Sequence, residues 1–74
     1  MFAMKYFVVI EKGPASFGAY VPDLPGCVAV AKTRREVKRL IREAIQLHVE
    51  DMRNRGDPIP KPTANSEFVE LQSA

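Results

Sequence analysis

The sequence predicts a two-layer α+β domain, βββαβ in chain order, with an antiparallel sheet and one long helix packed on one of its faces. Three observations carry that reading. Short β-branched and aromatic runs, punctuated by Gly and Pro, come first; a long segment with helical periodicity follows; a proline-rich connector then leads to one last strand-like run.

Tyr6-Phe7-Val8-Val9-Ile10 opens the series, and Gly13-Pro14-Ala15-Ser16 separates it from a second run, Phe17 to Val21, as in a hairpin. Pro22-Asp23-Leu24-Pro25-Gly26 cannot continue a ladder, because proline lacks the N–H a ladder needs. Cys27 to Lys32 is the third run. Thr33-Arg34-Arg35-Glu36 then has the capping-box pattern, in which the Thr33 hydroxyl and Glu36 carboxylate each satisfy a backbone N–H at a helix start. Val37, Leu40, Ile41, Ala44, Ile45, His48 and Met52 recur at three- and four-residue spacing, which predicts a helix to Arg55 with Gly56 as its stop. At about 1.5 Å per residue it would be roughly 33 Å long, enough to cross the sheet. Gly56-Asp57-Pro58-Ile59-Pro60-Lys61-Pro62 favours stiff, extended backbone, and Phe68-Val69-Glu70-Leu71 is the expected fourth strand.

The 74 residues make one domain, 1–74, with a thin core. A single cysteine excludes an intramolecular disulfide, and Asp23, Asp57 and the glutamates lack metal-ligand spacing, so neither usual staple of a small fold is expected. Self-association is the remaining way to add buried surface, and a homo-oligomer is expected. The start of the chain lacks a basic region followed by a long apolar one, and the stretch Tyr6–Ile10 is far too short to span a bilayer. A cytoplasmic protein without membrane contact is expected.

One helix covers one face of a sheet, so a self-sufficient monomer should alternate apolar and polar residues along each strand. These strands do not. Tyr6, Val8 and Ile10 oppose Phe7 and Val9, and Val28 and Val30 oppose Cys27, Ala29 and Ala31, so both faces are apolar. A second face of this kind predicts a covering partner.

Catalysis has little support. Cys27 and His48 are the only residues for a nucleophilic pair, with no orienting group or oxyanion site beside them; a buried apolar thiol and a half-buried core histidine are the expected roles. No glycine-rich phosphate loop precedes the helix, and no cofactor is expected. Arg35, Lys38, Arg39 and Arg42 lie opposite the apolar stripe and could contact phosphates. Glu36, Glu43 and Glu50 run beside them, however, and the net charge is only +2. An ion-paired, solvated helix surface is the alternative.

Tyr20-Val21-Pro22-Asp23-Leu24-Pro25-Gly26-Cys27, preceded by Tyr6-Phe7-Val8-Val9-Ile10-Glu11-Lys12, resembles the hallmark of the HicB-like antitoxins. Thr33, Glu43-Ala44-Ile45 and the trailer Gly56 to Pro62 fall in corresponding places, so the resemblance runs from about Lys5 to Leu71. It implies a βββαβ fold and the neutralising half of a type II toxin–antitoxin pair. The partner it implies is a HicA-like mRNA ribonuclease, small and basic, blocked by direct binding with no chemistry from the antitoxin. Two prolines restrict Asp23 and Leu24, which lowers the cost of presenting them, and Tyr20, Asp23 and Leu24 are the expected partner contacts. Attraction between charges cannot dominate, since both proteins would be basic. Such antitoxins commonly carry a further C-terminal DNA-binding segment; the sequence ends at Ala74 after the expected last strand, so direct DNA binding is not expected. The alternatives are an interaction module without a toxin, or a nucleic-acid binder using the basic helix stripe.

Overall fold

A computed structural model of the chain describes residues 4–72. Strands β1 (Val9–Lys12), β2 (Phe17–Tyr20) and β3 (Val28–Ala31) form an antiparallel sheet in the order β1-β2-β3, and helix α1 (Arg34–Arg55) follows. This is the α+β arrangement read from the sequence. The β1–β2 hairpin closes where the Gly13 N–H donates to the Ser16 carbonyl at 2.7 Å.

The first strand begins later than its β-branched run. β2 turns away after Tyr20, and Pro22 has no N–H to offer, so residues before Val9 face no partner strand. The ladder instead extends through Glu11 and Lys12, paired with Gly18 and Phe17, although neither is a strong strand former.

Helix α1 starts and stops as its sequence dictates. The Thr33 hydroxyl accepts from the Glu36 N–H at 3.1 Å, forming one half of the capping box. Gly56 adopts φ 75°, where a side chain would be strained; from there the Gly56 and Asp57 N–H groups reach back to the Arg53 and Met52 carbonyls. The helix packs chiefly on β3 and then on β2. Its buried residues, Val37 and Ile41, meet Ala19, Val21, Leu24, Cys27 and Ala31 in a small core, and Val49, outside the stripe read from the sequence, also packs against it.

The expected fourth strand does not form. Residues 57–72 carry no helix or strand, and Phe68, Val69 and Leu71 are 102%, 76% and 88% exposed. A strand needs a neighbouring backbone to complete its ladder, and this segment has the composition of one without meeting an edge. The molecule measures 52 × 27 × 21 Å, with a radius of gyration of 14.7 Å against about 11 Å for a compact chain of this length.

Candidate functional site

Register decides what the two faces of the sheet carry, because directly paired residues point the same way. Ile10, Ala19 and Ala29 form one row and Lys12, Phe17 and Ala31 another, both on the helix side. The opposite rows are Val9, Tyr20, Val28 and Glu11, Gly18, Val30. Nothing described covers that face: Tyr20, Val28 and Val30 are 42%, 63% and 67% exposed, and a Cβ built on Gly18 at its centre meets no atom within 4 Å. The second apolar face read from the sequence is therefore present and open.

The corner between β2 and β3 lies beside this face. The Leu24 N–H donates to the Val21 carbonyl at 3.0 Å and the Cys27 N–H to the Leu24 carbonyl at 3.1 Å, and these two tight turns fold the Leu24 side chain inward to 1% exposure. Leu24, expected as a partner contact, is thus a core residue. Asp23 is engaged within its own chain: one carboxylate oxygen accepts from the Thr63 and Ala64 N–H groups, each at 3.0 Å, and the other from the Thr63 hydroxyl at 2.8 Å. The Ala64 N–H, then the Thr63 hydroxyl and N–H, hold this carboxyl below the usual range. Nearby, the Tyr6 hydroxyl donates to the Pro60 carbonyl at 2.5 Å; burial, then the Asp23 charge, pushes the Tyr6 phenol up. Of the three expected contacts, Tyr20 alone presents a large exposed side chain, on the open face between Val9 and Val28.

Sequence reasoning missed the clamp of Asp23 on Thr63 and Ala64. The partners lie 40 and 41 residues apart and belong to no local motif, so no short-range signal could have found them.

Arg35, Lys38, Arg39 and Arg42 are exposed and, with Arg34, line a shallow open depression on the helix. Arg39 is held by Glu43 at 3.3 Å, the i,i+4 pairing that the parallel acidic row suggests. Cys27 is buried, and desolvation pushes its thiol up, away from the reactive thiolate. His48 is half-buried. Among the described residues no cluster of His, Cys, Asp and Glu could hold a metal ion, and no helix is long and apolar enough to cross a membrane.

Three known proteins are similar to this chain over most of its length. A UPF0150 protein of Thermoplasma acidophilum is 37% identical over 62 residues, covering 82% of this chain and 90% of the relative. Another, of Archaeoglobus fulgidus, is 40% identical over 70 residues, covering 93% and 90%. An uncharacterised 14.9 kDa protein of Haemophilus phage HP1 is 32% identical over 66 residues, which span 89% of this chain but half of the phage protein. The family described as HicB-like antitoxin of bacterial toxin–antitoxin system matches residues 6–73, and with these relatives it shows that the chain belongs to the HicB-like antitoxin family.

Proposed function

We propose that this protein neutralises a small HicA-like ribonuclease toxin in the cytoplasm by laying its open sheet face over the toxin and occluding the toxin's active site. One observation carries the reading: an antitoxin-family chain leaves Val9, Tyr20, Val28 and Val30 together on a face that its own helix does not cover. Covering a Val side chain contributes about 1.5–3 kcal/mol. A tyrosine at the centre of such a patch adds a rigid apolar ring with a polar tip, the residue type that dominates interface energetics. Inhibition of this kind is steric and asks no proton transfer or cofactor of the antitoxin. Leu24 and Asp23 act behind the face, holding the corner that orients Tyr20.

The test is ribonuclease activity of a purified HicA-like toxin, titrated with wild type, Tyr20→Ala and Val28→Lys. Each variant is expected to raise the concentration for half-inhibition at least tenfold, about 1.4 kcal/mol, while its unfolding free energy in urea stays within about 0.5 kcal/mol of wild type. Full inhibition by both variants would overturn the reading. The exposed row of Arg34, Arg35, Lys38 and Arg42 supports a second reading, phosphate contacts along the helix. Salt-sensitive retention of RNA that disappears with Lys38→Glu would favour it.

A further inference from the structure

Helix α1 lies over β2 and β3 and leaves β1 at the margin. An open groove results between β1 and the helix, floored by Val8, Ile10, Ile41 and Ile45. Lys5, Lys38 and Arg42 stand along the same groove. Because β1 is an edge strand, one row of its backbone N–H and C=O groups has no partner strand within the sheet. Elsewhere in the same molecule, the segment beyond Ala64 offers what such an edge accepts. Phe68, Val69 and Leu71 are the most exposed large apolar residues of the described chain, and Glu67 and Glu70 make the segment acidic, with no basic residue after Lys61.

We propose that residues 67–72 of one copy add as a strand to β1 of a second copy, with Val69 and Leu71 entering the groove, and that the exchange is reciprocal. Strand periodicity puts Val69 and Leu71 on one side and Phe68 and Glu70 on the other, so a single register buries two apolar side chains against Val8, Ile10, Ile41 and Ile45. In that register Glu67 lies on the groove side, where Lys5, Lys38 and Arg42 stand, while Glu70 lies on the other. Six residues at about 3.3 Å each extend roughly 20 Å, longer than the four-residue β1.

The second copy is favoured over the arm's own sheet by the path of the chain. Pro60 is bonded to Tyr6, on the β1 side, and three residues later Thr63 and Ala64 are bonded to Asp23, in the β2–β3 connection. The clamp thus carries the chain across the end of the sheet and away from its own β1 before the arm begins. A two-fold pair satisfies both unpartnered features in each copy at once, since each chain donates an arm and receives one. Strand addition widens the sheet and leaves the Tyr20 face free.

The experiment uses light scattering on the full chain and on the double variant Val69→Lys/Leu71→Lys, with Leu47→Lys, at another exposed apolar position, as control. Wild type and the control are expected to be dimers, and the arm variant's dissociation constant is expected to rise at least tenfold. A monomeric wild type, or an arm variant that dimerises as tightly, would overturn the proposal. To place the arm, isotope-labelled chain truncated after Ser66 is mixed with unlabelled full chain. Shifts at the labelled Val9–Lys12 amides are expected, and their absence would assign the arm elsewhere and overturn it. The inference does not rest on the toxin reading: a monomer that still inhibits a ribonuclease sinks the exchange alone, and an arm-dependent dimer that inhibits nothing sinks the toxin reading alone.

Discussion

The two faces of this sheet are built from the same three strands and differ in a direction that burial alone would not choose. The covered face combines Ile10 and Phe17 with the small residues Ala19, Ala29 and Ala31 on β2 and β3, whereas the uncovered one carries Val9, Tyr20, Val28 and Val30. Small side chains let α1 approach β2 and β3 closely, which is how a short chain closes a core around Val37 and Ile41. Large β-branched and aromatic side chains left in water do nothing for that core. Under the proposed function they are the surface a partner covers, and the contrast then separates residues that hold the fold from residues that would bind.

Leu24 and Tyr20 break or uphold that contrast most sharply, because they sit four residues apart on opposite sides of it. Leu24→Ala removes a side chain that is 1% exposed and is expected to cost about 2–5 kcal/mol, a large share of the roughly 5–15 kcal/mol typical of a whole domain. The urea midpoint would fall steeply, whereas that of Tyr20→Ala would barely move. If Leu24→Ala instead left stability intact and weakened partner binding, the corner would belong to the interface and the division between faces would be wrong there.

A smaller effect is expected at Thr33, which serves the covered face alone. Its hydroxyl satisfies the Glu36 N–H at the start of the helix that builds the core, so Thr33→Ala should cost about 1 kcal/mol, within a range of about 0.5–2. The loss would appear as a lower urea midpoint with unchanged binding through Tyr20. A binding defect equal to that of Tyr20→Ala would show that the helix start and the open face are not independent.

Local signals made most of this fold legible. The cap at Thr33, the stop at Gly56 and the corner between its two prolines each depend on residues within a few positions of one another, and each appears where the sequence puts it. The apolar character of both faces was equally readable, since it follows from a period of two. What could not be read depends on contacts distant in sequence. The composition of Phe68–Leu71 describes a strand, but whether one forms depends on an edge being within reach. Asp23 and Leu24 looked alike as residues presented by a rigid turn. Only the closing of that turn over the core, and the return of the chain to Thr63 some 40 positions later, turn one inward and bind the other.

The least disruptive test concerns that returning segment. In the folded protein the Asp23 carboxyl lies below its usual range because the Ala64 N–H, the Thr63 hydroxyl and the Thr63 N–H favour its charged form. A group shifted in this direction contributes its stability fully above the unfolded value, about 3.9, and loses it as pH falls through the lower folded value. Acid should therefore loosen the clamp while the core, which contains no buried charged residue among those described, stays closed. Exchange of the Thr63 and Ala64 amides is expected to accelerate, beyond the trend of freely exposed amides, only below about pH 4. Asp23→Asn should show at neutral pH the faster exchange that wild type reaches in acid, and should lose the extra pH step, with the amides of α1 unaffected in both. Were those helix amides to open together with Thr63, the clamp would be part of the core's own cooperativity and not a separate tether that aims the arm.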